Sequence, residues 1–130
     1  KQEGKMEYEI KLSESGNYIN VKIFKEMTTE KGQITAIESK KLADQHKLKK
    51  FLYDVREAPN VESPGSNYNF AYKGMPKLGG ERETKVAILT SPKDESHNFL
   101  ATVMMNAGYN VQLFFSEDEA VKWLEGHSVW

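Results

Sequence analysis

Asp54 and Arg56 stand two residues apart in the run Phe51-Leu52-Tyr53-Asp54-Val55-Arg56. In an extended strand that spacing puts both side chains on one face. A carboxylate beside a guanidinium can anchor a loop as an ion pair, or leave the guanidinium to hold an anionic ligand. Asn60, Ser63 and Ser66 follow closely, and Ser91 and His97 come later in the chain. Serines before helices accept from free backbone N–H groups. A serine near a histidine and a carboxylate could instead serve a hydrolase or transferase. That chemistry needs Asp54, Ser63, Ser91 and His97 within mutual hydrogen-bonding reach. Tyr68 and Phe70 add aromatic surface, read first as core and sheet cover and second as a ligand wall or partner contact.

No stronger motif accompanies these residues. The chain has no Gly-x-Ser-x-Gly elbow, no Gly-x-Gly-x-x-Gly and no phosphate-binding lysine loop. It has no cysteine, which excludes disulfides, thiolate chemistry and cysteine-rich zinc sites, and its three histidines are scattered. The expectation is therefore no catalytic residue, no metal and no cofactor. Lys plus Arg is 18 against 19 for Asp plus Glu, so the basic footprint of a nucleic-acid binder is missing. No apolar run approaches the roughly 18–20 residues of a membrane span. No signal-peptide pattern opens the sequence, and a cytoplasmic location is expected.

The elements that must position these side chains read as one domain over residues 1–130. Met6–Leu12 and Asn17–Lys25, separated by Ser13-Glu14-Ser15-Gly16, predict an antiparallel hairpin. Thr28 or Thr29 caps a helix to about His46, with a thin apolar stripe of Met27, Ile34, Ile37 and Leu48. Phe51–Val55 reads as a central strand. Ser63-Pro64 opens a helix whose inward face is Tyr68, Ala71, Tyr72 and Met75, and Met75-Pro76 and Gly79-Gly80 close it. Val86–Leu89 is a buried parallel strand. Ser91-Pro92-Lys93-Asp94 starts a helix with Phe99, Leu100, Val103, Met104 and Ala107 inward and Met105 off the core face. Val111–Phe115 is the last strand. Ser116-Glu117-Asp118-Glu119 caps a final helix that buries Ala120, Val121 and Leu124. The order β-β-α-β-α-β-α-β-α predicts an α/β fold with an N-terminal antiparallel hairpin and then parallel strands covered by helices. Ligands approach such a sheet at the carboxyl ends of its strands.

Several segments together carry a family resemblance. They are Phe51–Arg56 with Asn60 and Ser63, Tyr68-Asn69-Phe70-Ala71-Tyr72, Val86–Leu89, His97-Asn98-Phe99, Asn106–Val111 and Ala120–Leu124. With the element order, they make the chain resemble STAS-like domains, and more closely the bacterial SpoIIAA-like branch that is grouped with Sec14-type domains. The resemblance covers nearly the whole chain. It implies a cytoplasmic signalling module of regulatory type. In phospho-regulated members a serine at the start of a helix is the acceptor. The matching stretch here is Glu62-Ser63-Pro64-Gly65, which puts Pro64 at the acceptor position, so phosphorylation would have to use Ser63 or Ser66.

Three functions from different classes follow. The first is a non-catalytic interaction module that meets a protein partner through the Arg56–Ser66 loop and the helix after it, with Phe70 and Met75 exposed. The second is a binder of a small anionic or lipid-like ligand in a crevice at the strand ends, with Arg56 as the anion partner. The third is the hydrolase or transferase above. Trp130 and Tyr8 could also pack a homodimer interface or simply close the core.

Overall fold

Tyr8–Leu12 (β1) and Ile19–Ile23 (β2) pair antiparallel, with Ile10 opposite Val21. The turn between them places Gly16 at φ 77, a left-handed conformation that suits a residue without a Cβ. Lys50–Asp54 (β3), Lys85–Leu89 (β4) and Asn110–Phe114 (β5) then join in chain order, each parallel to its predecessor. The computed structural model describes residues 7–74 and 84–126. Met75, Pro76, Gly79, Gly80 and Trp130 lie outside the described residues.

The helices are Thr29–His46 (α1), Pro64–Asn69 (α2, continuing as a π turn over Phe70–Gly74), Asn98–Asn106 (α3) and Glu117–Glu125 (α4). Three caps legible in the sequence are made. Thr28 Oγ1 accepts from the Lys31 N–H at 3.1 Å, Ser63 Oγ from Ser66 at 3.1 Å and Ser116 Oγ from Glu119 at 3.4 Å. The fourth is not. Residues 91–97 form turns, and α3 begins only at Asn98 without a side-chain cap. Asp94 explains the delay: its Oδ1 accepts from both the N–H and the Oγ of Ser96, at 2.9 and 2.6 Å. That local bond offers the backbone an alternative to the helix.

All three parallel connections step in one direction across the sheet, and crossovers of one hand then put their helices on one face. Ile19, Val21, Ile23, Phe51, Val55, Ile88 and Val111 accordingly meet Ala43 of α1, Ala71 of the π turn and Ala101, Val103 and Met104 of α3. α4 follows the last strand and covers the other face, setting Ala120 and Leu124 on Leu52, Ala87 and Leu89.

Three expected stripes are corrected. Ile34 and Ile37 of α1 are exposed, and the helix buries Gly32, Thr35, Ser39 and Ala43 instead. These recur at helical spacing on the face toward the sheet. Tyr68 and Tyr72 are exposed and stack on each other at 4.6 Å, while Asn67 and Ala71 turn inward. The α-helical stripe fails there because α2 lasts six residues before widening into the π turn. Phe99 is exposed on α3, whose core face is Ala101, Val103 and Met104, and Met105 is exposed as expected.

Candidate functional site

The sequence candidates divide between the two faces of the sheet. Asp54 follows Leu52 by two positions and so lies on the α4 side. It is buried, at 6% exposure, and Arg56 grips it with Nε at 3.0 Å and an Nη at 2.7 Å. The Arg56 backbone N–H adds a bond at 3.2 Å, and Lys22 Nζ of β2 lies at 3.5 Å. Arg56 also reaches Glu117 in the first turn of α4 at 3.6 Å. Burial alone would raise the Asp54 carboxyl. The Arg56 side-chain and backbone hydrogen bonds, with the charges of Arg56 and Lys22, outweigh it and hold the group below its ordinary value.

Asn60, Ser63, Ser66 and His97 gather on the opposite side. Asn60 donates its backbone N–H to Ser96 Oγ at 2.8 Å and its side-chain amide to Asn67 Oδ1 at 3.1 Å, and its Oδ1 accepts from Glu62 N–H at 2.9 Å. Glu62 accepts from the Thr29 N–H at 3.0 Å, which ties this loop to the start of α1. Ser63 and Ser66 bond to each other at 3.2 Å. Ser91 accepts from Lys93 N–H at 3.3 Å. His97 is buried with Nε2 2.8 Å from the Ala58 carbonyl and 3.7 Å from Asp94. Among the described residues no hydrogen bond joins His97 to Ser91, Ser63 or Asp54.

Burial lowers the His97 pKa by more than the Ala58 bond and the Asp94 charge raise it. The folded ring is therefore neutral where the unfolded one, near 6.5, begins to protonate. Below that pH the unfolded chain binds more protons, so stability falls as pH drops toward the folded value. Denaturant melts at pH 7.5, 6.5 and 5.5 should show a steady decline, and His97→Gln should flatten it.

The feature that the sequence did not announce is a cavity of about 150 Å³ between the sheet and the three-helix layer. The two sheet faces differ in the way that reveals it. Under α4, Leu52, Ala87 and Leu89 are sealed at 1% exposure or less. On the other face, Tyr53 and Val86 of the same two strands remain only half-buried. The reason is local. α1 packs over β1 and β2, and its inward face of Gly32, Thr35, Ser39 and Ala43 is too small to fill the space beside Phe51 and Tyr53. α2 is short for a helix that must cover β3 and β4. An apolar slot lies between, walled by Phe51, Tyr53, Val86 and Ile88 below and Leu100 and Met104 at the side.

The slot runs the length of β3. Val55, Gly32, Met27, Phe70 and His97 line one end, and Leu48, Lys49 and Thr84 the other. Positions 49 and 55 of an extended strand are ~20 Å apart at ~3.3 Å per residue. At the carboxyl end of the strands, Val55 and His97 are buried. At the amino end, Asp44 and Lys49 are exposed. Among the described residues the slot therefore opens at the amino ends of the strands, opposite to the edge expected from sequence.

The α1 hydroxyls at and behind its wall are satisfied within the helix. Ser39 Oγ, on the wall, donates to the Ala36 carbonyl at 3.3 Å, and Thr35 Oγ1, buried behind it, to the Lys31 carbonyl at 2.8 Å. The Tyr53 hydroxyl, whose pKa is raised by burial, meets Thr35 Oγ1 at 3.5 Å and interacts with the Ser39 side chain. So long a bond contributes little. Tyr53→Phe should cost under about 1 kcal/mol in chemical denaturation, and a larger loss would show that this hydroxyl holds α1 to the sheet.

Phe70 and His97 are the two sequence candidates that reach the slot. Gly32, Ala36, Ser39, Tyr53, Val86 and Met104 went unnoticed. Their signal was available: small residues at 32, 36, 39 and 43 form a helical stripe, and such a stripe opposite aromatic strand residues leaves room. Against known proteins, no family model, no curated protein and no solved structure matches the chain.

Proposed function

We propose that this protein is a non-catalytic binding module of STAS-like type that holds a small lipid-like ligand with a single apolar chain in the slot between its sheet and helices. The observation that carries this reading is the unfilled apolar face. Folding normally closes such surface to the packing density of a crystal, and here α4 does so on one side while about 150 Å³ stays open on the other. Apolar cavities of about this volume take apolar guests, and most of the residues lining this one are aliphatic or aromatic. Ligand sites are concave and mostly apolar, with few polar groups. From α1, Gly32, Ala36 and Ala43 line the slot, and the hydroxyl of Ser39 turns to the Ala36 carbonyl of its own helix, so the wall that these residues offer a guest is mostly hydrocarbon. A lining that runs the length of β3 around a volume of only about 150 Å³ favours one unbranched chain over a fused ring system. Arg56 is engaged by Asp54 on the far side of the sheet, so an anionic ligand would not meet it from this slot.

Titration with a fluorescent fatty acid, followed by displacement with unlabelled ones, tests the reading. Saturable one-to-one binding with competitive displacement is expected. Signal that never saturates, or that unlabelled chains fail to displace, would refute it.

A second reading, docking of a protein partner on the loop and helix after β3, is favoured by the exposed pair Tyr68 and Tyr72 and by exposed Val61 in the loop before them. The aromatics that could serve it differ from those expected, since Phe70 points into the slot. Replacing both tyrosines with serine would abolish such docking and leave fatty-acid displacement unchanged.

A further inference from the structure

Resting on the ligand-binding reading above, we infer that Phe70 is the end wall of the slot and sets the length of chain the protein accepts, with the ligand's tail against Phe70 and its polar end at the mouth beside Lys49 and Thr84.

Four observations meet at this ring. Phe70 opens the π turn that follows α2, and it is turned inward where its neighbours Tyr68 and Tyr72 face solvent. A π turn adds a residue to the helical repeat and re-aims the side chains after it, a device common at functional positions. The ring seats against α1 at Gly32. A Cβ built on Gly32 would stand 3.3 Å from Phe70 Cζ and 3.4 Å from Cε1, with Met27 Cε at 3.5 Å. Gly32 is not needed there for its backbone, since it sits within the regular part of α1. A helix-interior glycine is less stable than alanine, and the close approach of the Phe70 ring is the structural feature that alanine would crowd.

The third observation is position. Phe70, Met27 and Gly32 line the slot beside the buried residues Val55 and His97, at the end away from the exposed Asp44 and Lys49. The fourth is polarity. The charged lining residues Lys40, Asp44 and Lys49 all belong to the other end, and Lys40 pairs with Asp44 at 3.2 Å. A chain with one polar end is oriented by that asymmetry: burying the head among Met27, Val55 and Phe70 would strip it of water without a partner. Each methylene beyond the wall has no room, while each one short of it forgoes roughly fourfold in affinity through lost burial, so affinity should peak at one chain length.

The test is a displacement series of saturated fatty acids of increasing length against the wild type, Phe70→Ala and Phe70→Trp, with circular dichroism melts on each. Wild-type affinity should rise with length and then fall. Phe70→Ala should move the maximum to longer chains and Phe70→Trp to shorter ones. Opposite shifts cannot come from partial unfolding, and should Phe70→Ala fail to fold, Phe70→Trp alone still decides. Saturable binding with the same optimum in every folded variant would overturn the role of Phe70 and leave the ligand-binding reading standing. Failure of the wild type to bind any length would overturn both.

Discussion

Arg56→Ala is expected to lower the unfolding free energy by about 2–3 kcal/mol, below the ~3–5 of stripping one partner from a fully enclosed pair. The discount reflects the Arg56 side chain, which is 40% exposed and partly screened by water. The cost falls on Asp54. Without the guanidinium its carboxylate stays buried at the end of β3, with one backbone N–H and a lysine at 3.5 Å. The pH dependence identifies the mechanism. In the wild type the folded Asp54 pKa is depressed, so the stability it contributes is present above about pH 3.9 and is lost as pH falls through the folded value. In Arg56→Ala, burial acts with less opposition and raises that pKa, so acid loss should set in at higher pH. Chemical denaturation from pH 7 to 3 measures both. An unchanged midpoint at pH 7 would remove Arg56 from the structural frame and return it to the ligand-contact role weighed from sequence.

That ion pair marks how far the sequence could be read. The spacing of Asp54 and Arg56 placed them on one face of a strand, and the structure has them bonded there. It could not say which face, because that depends on where α4 packs, and α4 is fixed only once the sheet order is known. The order of elements was legible for a similar reason. Short parallel strands with capped helices between them admit few topologies, and the five strands do lie in sequence order with the hairpin at one edge.

The slot was not legible because sequence patterns report what is buried, not what is left unfilled. Ile34 and Ile37 looked like a core stripe because large apolar residues usually are one. Here smaller neighbours one position away make the contact, and the isoleucines face out. The same bias misplaced Tyr68 and Phe99. In each case the largest side chain was assumed inward, and a register shift, by a π turn at Phe70 or a delayed helix start at Asn98, turned it outward. In Ser91-Pro92-Lys93-Asp94 the pattern suggests Asp94 as the capping-box partner of Ser91, and it is instead the anchor of a turn at Ser96, since one carboxylate can serve either geometry.

Filling the slot from α1 should separate binding from folding more sharply than any other change. Ala36 lies mid-helix on the slot wall and is itself incompletely buried. Ala36→Phe would project a ring toward the space beside Tyr53 and Val86. Overpacking a closed core usually costs ~1–3 kcal/mol, but an open cavity of about 150 Å³ has room for the added atoms. The melting temperature should therefore stay near wild type or rise, because filling a void restores contacts that its lining lacks. Fatty-acid displacement should weaken by at least about tenfold, equivalent to ~1.4 kcal/mol. Ile37→Phe, one position on and facing solvent, is the matched control and should leave affinity unchanged. If Ala36→Phe binds as tightly as wild type while remaining folded, the chain is held elsewhere, and the slot is a packing defect of α1 and not a site. If both variants weaken binding equally, the ligand rests on the outer surface of α1, where Ile34 and Ile37 already present apolar groups to water.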